Sequence, residues 1–279
     1  MKIDLHMHTT ASDGTDTPSE VVRLAFRQGF ETVAVTDHDS MEGVEEARRE
    51  GAKCGLAVIP GVEISAMGEK EVHVLGYGME PTGEFEEMLS HMRRQRDERM
   101  IRMVKKLNAM GVSITLEQAV QDATGAVGRA HLARALVRRG SARDIRDAFN
   151  RFLAPGRPAY VPREKLSVED AIRMIRSVGG VPVIAHPGQE RSEGYWSIER
   201  LRPWVQAGLL GLECYHPSHS QQQCDELLGL CRRLGLLVTG GSDYHGKVKQ
   251  VRLGEALERW TTRDEDFARF IRTVKRGTI

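Results

Sequence analysis

The chain has 279 residues, of which 40% are hydrophobic, so it can bury the core of one large domain or of one domain with an insertion. Its formal net charge of +1 indicates neither a nucleic-acid-binding nor a membrane-surface protein. The four cysteines are scattered without a C-x-x-C pair, which argues against a zinc knuckle or a disulfide framework and predicts reduced thiols in the cytoplasm. We expect no membrane segment, because no run approaches roughly 18 apolar residues, and nothing indicates an obligate protein partner.

The first predicted strand carries a pair of histidines. Ile3 and Leu5 alternate with polar neighbours, so His6 and His8 lie on one face of the strand and can converge on one ion. Two imidazoles at this spacing make half a metal site. A lone His-x-His pair is more often a pair of ordinary strand-end residues, so the metal interpretation depends on ligands elsewhere in the chain.

Strand and helix alternate after this opening. Thr17–Glu20 has the form of a capping box with proline at the first helical position, which predicts a helix ending near Gln28. Residues 32–36 and 56–60 are predicted strands, and residues 44–53 form a helix between them. This alternation is typical of a parallel α/β architecture.

The pattern changes after the fourth predicted strand. That strand covers residues 72–75 and contains His73, and the glycines of residues 76–78 are expected to turn the chain out of the sheet. Apolar residues then recur at mostly helical spacing, with no convincing strand before residue 160. We therefore predict an all-helical insertion over residues 84–160.

This insertion would interrupt a metal-binding body formed by residues 1–83 and 161–279. Residues 84–165 contain 17 Lys and Arg against 10 Asp and Glu, so the rest of the chain carries a net negative charge. A basic segment beside an acidic one suggests that the first grips an anionic substrate. Arginines at positions 93, 94, 96, 99 and 102 are equally consistent with the solvated face of a helix.

Strand and helix alternate again after the insertion. Helices are predicted over residues 167–178, 198–207, 221–234 and 265–275, and strands over residues 181–185, 209–213 and 236–239. Seven strands result in total. The candidate ligands lie at or just beyond the C-terminal ends of these strands, apart from His73, and barrel enzymes build their sites at that rim.

Short motifs with His, Asp or Glu recur along nearly the whole chain. They are His6-x-His8 with Asp13, Thr36-Asp37-His38, Gly61-Val62-Glu63, His73, Ala185-His186-Pro187 and Ser242-Asp243-x-His245. Each motif alone is a weak signal, but the ordered set resembles the PHP superfamily of polymerase and histidinol phosphatase phosphoesterases. The resemblance implies an α/β fold, a distorted seven-stranded (β/α) barrel.

The predicted insertion contains a further match. Its Arg129-x-His131-x-x-Arg134 element resembles a PHP subgroup whose members act as 3',5'-nucleotide bisphosphate or nucleoside monophosphate phosphatases, and some as 5'-to-3' exoribonucleases. The resemblance implies a small nucleotide phosphate or a short 5'-phosphorylated RNA as substrate. Guanidinium groups bind phosphate bidentately, so these residues are candidate substrate ligands, although a solvated helix face remains an alternative. Arg157 and Lys165 are weaker candidates of the same kind.

The resemblance also implies three divalent metal ions. Nine residues would hold them in three groups: His6, His8, Glu63 and Asp243; Glu63, His73 and His186; and Asp13, His38 and His245. Glu63 would bridge the first two ions. Because each ion receives at least two imidazoles and one carboxylate, the ligands suit Mn²⁺, Fe²⁺ or Zn²⁺ better than Mg²⁺.

Bridged ions of this kind predict a phosphoesterase without a protein nucleophile. Such ions generate a metal-bound hydroxide and stabilise charge on the phosphoryl oxygens during in-line displacement. Asp37 and Asp39 flank His38 and are expected to orient its ring by hydrogen bonding, or else to be turn carboxylates. His216, after the sixth strand, is a candidate general acid for the leaving oxygen, or else a rim residue.

Three other functions remain open on the sequence alone. In an exoribonuclease the basic insertion would guide a short strand, although an aromatic content of 5% argues against an extended stacking platform. A non-catalytic PHP scaffold is disfavoured because every mapped ligand is present and no polymerase-like sequence is attached. A hydrolase of C–N bonds on a similar barrel usually carries a modified bridging lysine, for which Glu63 stands in here.

Overall fold

The computed structural model describes residues 1–80, 82–121, 123, 127–162, 166–189, 194–259 and 264–277. Seven strands form one sheet, and they follow each other in chain order across it. The strands are β1 Ile3–Met7, β2 Thr32–Val35, β3 Ala57–Met67, β4 Glu71–Tyr77, β5 Val181–Ile184, β6 Gly211–Tyr215 and β7 Leu237–Gly240. The α/β class and the number of strands agree with the sequence analysis.

One strand departs from the predicted parallel arrangement. β1, β2 and β3 are parallel, as are β5, β6 and β7, but β4 is antiparallel to both of its neighbours. β3 is longer than predicted, and a tight turn in which Gly68 donates to the Lys70 carbonyl leads directly into β4. A turn this short can join only antiparallel strands, so no helix separates β3 from β4.

The expectation that residues 76–78 turn the chain out of the sheet was wrong for the first two of them. Gly76 and Tyr77 belong to β4 and pair with both β3 and β5. Tyr77 is fully buried, and its hydroxyl donates to the Leu5 carbonyl at 2.8 Å. The chain leaves the sheet only at Gly78, where φ is +71° and a left-handed conformation favours glycine.

The sheet curls until its two ends nearly meet. His8 donates its N–H to the Tyr244 carbonyl at 2.8 Å, and Asp243 donates to the His6 carbonyl at 2.9 Å, just beyond β7. Gly241 makes this approach feasible, because a Cβ atom there would lie 2.3 Å from the Cβ of His6. A barrel-like sheet therefore brings β1 and β7 side by side.

Eleven helices are described. They are α1 Pro18–Arg27, α2 Val44–Cys54, α3 Glu84–Ala109, α4 Leu116–Val120, α5 Arg129–Arg138, α6 Ile145–Ala148, α7 Val168–Ser177, α8 Ile198–Ala207, α9 Gln221–Leu234, α10 Glu255–Arg259 and α11 Asp264–Gly277. The predicted capping box is present, since Thr17 and Glu20 satisfy each other's backbone N–H groups at the start of α1. Thr115, Ser167 and Ser220 are the N-caps of α4, α7 and α9. The hydroxyl of each accepts the backbone N–H of the residue three positions later.

The apolar residues form two large cores around these elements. One joins the barrel strands to α7, α9 and α11, and it includes Leu5, Ile64 and Phe270. The other lies among α3 to α6 and the turn of π-helix that follows, Phe149–Leu153, and it includes Met103 and Leu132. In the described part of residues 84–160 every regular element is helical, whereas the division into two domains stays a prediction.

Within the described residues, no helix combines the length and the apolar character needed to cross a membrane.

Candidate metal centre

The barrel rim gathers all nine sequence-predicted metal ligands in one place. These residues lie in β1, β2, β3, β4, β5 and β7 or in the turns that follow these strands. His73 lies within β4, opposite Ser65 of β3, just as Glu63 lies within β3. β4 runs antiparallel to its neighbours, so a residue within the strand, rather than one at its end, reaches the centre.

Glu63 lies at the middle of this group. Its Oε1 atom is 2.9 Å from His73 Nδ1 and 3.1 Å from His186 Nε2. Its Oε2 atom is 2.8 Å from His38 Nδ1 and 3.2 Å from His8 Nε2. His6 Nε2 lies 3.4 Å from Oε1, so five imidazoles surround one fully buried carboxylate.

The donor atoms fit metal ions better than they fit each other. His6 Nε2 and His8 Nε2 are 3.2 Å apart, so one ring donates a hydrogen bond to the other unless both nitrogens bind an ion. His38 Nδ1 and Glu63 Oε2 lie 2.8 Å apart, yet among the described residues neither atom makes a hydrogen bond of regular geometry. Buried polar atoms are normally satisfied, so we interpret the cluster as a set of metal ligands.

The ligand atoms form four overlapping groups, each able to surround an ion. The groups are His8, Asp13, His38 and His245; His6, Glu63 and His186; His6, His8 and Asp243; and His38, Glu63 and His73. They agree with the expected sets in most members. His8 also joins the group around Asp13, and His38 also joins the group around Glu63. The allocation of ligands to three separate ions stays a prediction.

Burial and close charges shift the pKa values of these groups in opposite directions. Burial disfavours the charged form of His8, but Asp243 and Glu63 outweigh it and raise the His8 pKa to about 9. Burial likewise opposes the charge on His73, whose pKa Glu63 and Glu71 raise to about 9. Burial dominates at His38 and lowers its pKa to about 4. Without metal ions, protons on some of the imidazole rings offset the negative charge of the carboxylates.

The backbone is strained at three residues of the site. Asp39, His186 and Asp243 have φ values of 49°, 27° and 54°, in a region that non-glycine residues rarely adopt. Among the described residues they are the non-glycine residues with positive φ. Such strain concentrates at functional sites, where the surrounding structure enforces it. At His186 and Asp243 the conformation belongs directly to candidate ligands.

Glu213 of β6 supports two of the ligands, and the sequence analysis missed it. Its carboxylate lies 3.0 Å from His6 Nδ1, on the opposite side of the ring from Glu63. It also accepts the backbone N–H of His186 at 2.6 Å. The residue is fully buried, and an ionisable residue between Leu212 and Cys214 in an apolar strand was the signal that could have found it.

Lys249 was also missed. Its ammonium group pairs with Oδ2 of Asp243, while Oδ1 of the same carboxylate lies 3.3 Å from His8 Nε2. The Lys249 side chain is about one third exposed, so its charge lies at the rim of the site. Nothing in the sequence around Lys249 indicates this contact, because it depends on the path of the loop after β7.

The two acids that flank His38 hydrogen-bond to other groups. Asp37 accepts from Thr9 and from the Ser12 hydroxyl, at 2.7 and 2.6 Å for the two side-chain bonds. Asp39 accepts from Arg96 Nε at 2.7 Å. The structure therefore gives Asp37 a role in shaping the turn after β1, and Asp39 a role in joining α3 to the barrel.

The three candidate substrate ligands of α5 have different surroundings. The Arg129 guanidinium faces the site and lies 3.7 Å from Glu71. The buried ring of His131 accepts the backbone N–H of Gly128 at 3.1 Å and so caps its own helix. Arg134 donates to the Asp13 carbonyl at 3.2 Å and so contacts a ligand-bearing turn. Of the weaker candidates, Lys165 lies outside the described residues.

The α3 arginines do not all share one environment. Arg94 is exposed and bonds to Ser90 within the helix. Arg96 and Arg99 instead line a cavity of about 150 Å³ beside His38 and His73, together with Arg129. We call this the arginine cavity. Arg94 therefore fits the solvated helix face, whereas the binding of an anionic substrate by Arg96 and Arg99 stays a prediction.

A second cavity, of about 220 Å³, is also lined by His73. Its apolar walls are Val72, Ile184, Ala185, Pro187 and Trp196, and Gln189, Glu71, His186 and Arg129 add polar groups. We call this the Trp196 cavity. His73, Glu71 and Arg129 line both cavities, so the two meet at the metal-ligand cluster.

His216 faces the cluster from the end of β6. Its Nε2 atom lies 3.9 Å from Asp243 Oδ2, and its Nδ1 accepts the backbone N–H of Ser218 at 3.2 Å. Burial, aided by the charge of His186, holds the His216 pKa well below its usual range. The His216 ring is therefore neutral and carries its proton on Nε2.

Comparison with known proteins gives matches over most of the chain. The family profile described as PHP domain matches residues 4–154. A 3',5'-nucleoside bisphosphate phosphatase of Chromobacterium violaceum is 37% identical over 248 residues, which is 87% of each chain. The 5'-3' exoribonuclease Rnm of Escherichia coli is 35% identical over 259 residues, covering 91% of this chain and 88% of the relative.

A solved structure also matches. It is a protein from Bifidobacterium adolescentis assigned as a metal-dependent phosphoesterase, 34% identical, with a TM-score of 0.88 over 97% of this chain and 96% of that one.

Proposed function

The chain belongs to the PHP domain family and is a metal-dependent phosphoesterase, and on this basis we propose that it removes a phosphate group from a nucleotide. The proposed substrate is a nucleoside 3',5'-bisphosphate or a nucleoside monophosphate. The relative from Chromobacterium violaceum, a 3',5'-nucleoside bisphosphate phosphatase, supports this choice at 37% identity.

The arginine cavity is the observation that carries the proposal. Arg96, Arg99 and Arg129 line it within reach of His38 and His73, so positive charge lies directly beside the candidate metal ligands. Guanidinium groups bind phosphate bidentately and retain their charge at any physiological pH. Arg96 also pairs with Asp39 at 2.7 Å, so Arg99 and Arg129 would be the main ligands of a substrate phosphate beyond the one that reacts.

We propose three divalent ions, Mn²⁺, Fe²⁺ or Zn²⁺, held by the nine rim residues. The overlapping ligand groups and the unsatisfied buried atoms support this assignment. When bound, such ions supply Lewis acidity to the phosphoryl oxygens and lower the pKa of water. The mixture of imidazoles and carboxylates favours these metals over Mg²⁺.

The chain's own residues would orient the substrate around that centre. Glu63 holds the ligand rings in a fixed arrangement, and the guanidinium of Arg129 faces the phosphate. His216, neutral and with a proton on Nε2, would donate a hydrogen bond to a phosphoryl or leaving-group oxygen. Because the pKa of His216 is lowered, the ring is rarely in the doubly protonated form that a general acid needs. Donating a hydrogen bond is therefore a more favourable role than the general acid that the sequence suggested.

We also propose that residues 84–160 form an inserted domain that grips the substrate, between barrel segments 1–83 and 161–279. The separate apolar core of α3 to α6 supports this division. Both helices that supply arginines to the cavity, α3 and α5, come from the insertion. The cytoplasmic location remains an expectation from the cysteines, of which Cys214, Cys224 and Cys231 are buried free thiols.

A 5'-to-3' exoribonuclease is the second candidate. The 35% identity to the Escherichia coli exoribonuclease Rnm over 91% of this chain favours it. An RNA strand contacts more cations than a mononucleotide does, so its affinity would fall steeply as salt increases.

A screen of product release separates the two candidates. With Mn²⁺ present, we expect phosphate release from adenosine 3',5'-bisphosphate or adenosine monophosphate, and none from the Glu63→Gln variant. Histidinol phosphate and a 5'-phosphorylated RNA oligomer complete the panel. Turnover of the oligomer alone, with mononucleotide products, would replace the phosphatase by the nuclease.

A further inference from the structure

The apolar part of the Trp196 cavity has no role in the proposed phosphate chemistry. Its floor is formed by Val72 of β4 and by Ile184 and Ala185, where β5 ends. These side chains are apolar, and Val72, Ile184 and Ala185 are buried. Five of the ten lining residues are apolar and would not bind a phosphate, so this part of the cavity suits a different part of the substrate.

Trp196 is held in place at one side of this cavity. Its indole Nε1 donates to the Pro187 carbonyl at 2.6 Å, one residue after the candidate ligand His186. The Trp196 ring also packs edge-on against Trp204, with centroids 5.5 Å apart. The indole therefore keeps a fixed position relative to the metal centre, as a surface on which another flat ring can stack.

Polar groups at the edge of the cavity complement a heterocycle. Gln189 offers an amide that both donates and accepts, and a glutamine amide can pair with two adjacent atoms of an adenine ring. Ligand pockets typically combine apolar walls with a few such polar groups. A nucleobase has both the flat apolar faces and the polar edge that match this lining.

The two cavities share three lining residues. Glu71, His73 and Arg129 line both, and the Arg129 and Glu71 side chains approach within 3.7 Å. Together the cavities reach the lower end of the range of roughly 300 to 1,000 Å³ that is typical of ligand pockets. One side is apolar and aromatic, and the other is lined by three arginines.

We propose that the Trp196 cavity binds the nucleobase of the substrate, while the arginine cavity binds its non-reacting phosphate and the reacting phosphate lies between them at the metal-ligand cluster. This inference rests on the proposed function and extends it. The substrate is then recognised at both ends, by stacking on Trp196 and pairing with Gln189, and by charge at Arg99 and Arg129.

The test compares a substrate with a base and one without. Release of phosphate would be measured with Mn²⁺ from adenosine 3',5'-bisphosphate and from an abasic 1-deoxyribose 3,5-bisphosphate. Because a base that stacks on an aromatic side chain strengthens binding, we expect kcat/KM to be at least about 10-fold higher for the adenosine compound than for the abasic one. The ratio of the two kcat/KM values is the measured quantity.

Two variants then assign the preference to this cavity. Trp196→Ala is expected to reduce the ratio by about 10-fold, mainly through a higher KM for the adenosine compound. Gln189→Leu, at a partly exposed loop position where folding is not at risk, is expected to reduce it several-fold. Phe26→Ala is the control, because Phe26 is an exposed aromatic residue of α1 and is not among the residues that line the cavity.

The outcomes separate this inference from the proposed function. If the wild-type protein hydrolyses both compounds equally well, the base site is contradicted and the phosphatase stands. A ratio that Trp196→Ala and Gln189→Leu leave unchanged also contradicts it. If neither compound is hydrolysed and adenosine monophosphate is not hydrolysed either, the proposed function itself fails.

Discussion

The Glu213 carboxylate lies 3.0 Å from Nδ1 of His6, on the side of the ring that faces away from Glu63. This contact fixes the proton on Nδ1 and directs the lone pair of Nε2 at the candidate metal centre. The second carboxylate oxygen accepts the His186 backbone N–H, so Glu213 controls the ring of one ligand and the backbone of another.

Replacing Glu213 by Gln should therefore weaken metal binding without removing a ligand. We expect a 10- to 100-fold lower metal affinity, the usual effect of removing the group that orients a ligating histidine. Titration of the metal-free protein with Mn²⁺ would measure it. Glu45→Gln, at an exposed position of α2, is the control and should leave the affinity unchanged. Equal affinities for the two variants would contradict the role given to Glu213.

Metal binding should also depend on pH. His8 and His73 have pKa values raised to about 9 in the absence of ions, so both are protonated at pH 7 and must lose those protons to become ligands. The apparent affinity should therefore increase from pH 6 toward pH 9, with protons released on binding. Calorimetry in two buffers of different ionisation enthalpy measures that release. An affinity independent of pH would show that the rings bind no proton before the metal arrives.

The structure brings together the nine residues that the sequence predicted as metal ligands, most of them in short motifs near a strand end, and their binding of metal stays a prediction. Glu213 was overlooked although its place in an apolar strand was a signal, whereas the role of Lys249 depends on which strands and loops become neighbours. The antiparallel direction of β4 was also missed. The alternating pattern of strands and helices does not show that a tight turn, rather than a helix, joins β3 to β4. His73 was nevertheless identified, because the resemblance to a family did not depend on that direction.

Closure of the barrel should depend on Gly241. A methyl group at this position would lie 2.3 Å from the Cβ of His6, so β1 and β7 would have to separate. We expect Gly241→Ala to lower the free energy of unfolding by about 1–3 kcal/mol and to reduce metal binding. Chemical denaturation measures the first effect.

Gly229 provides the contrasting case for that experiment. It lies within α9, and the nearest atom to an added methyl group is 3.9 Å away. Gly229→Ala should therefore raise the free energy of unfolding by about 0.5–1 kcal/mol. Equal behaviour of the two variants would contradict the close approach of β1 and β7.

Arg96 should stabilise the junction between α3 and the barrel. Its guanidinium binds the fully buried Asp39 carboxylate and the Ser65 hydroxyl. Arg96→Met would leave that carboxylate buried without the Arg96 charge, at an expected cost of about 3–5 kcal/mol in the free energy of unfolding. The exposed Arg94 of the same helix gives the control, and Arg94→Met should change stability by no more than about 0.5 kcal/mol. Similar losses from both variants would show that the Arg96–Asp39 pair has no special role.

The position of ions around Glu63 tests the central claim most directly. Crystals grown with Mn²⁺ would be measured at a wavelength where manganese scatters anomalously. We predict anomalous peaks within coordination distance of Glu63, bounded by the imidazoles of His6, His8, His73 and His186. A map without peaks around Glu63, from protein that hydrolyses the nucleotide in the same manganese buffer, would contradict the account.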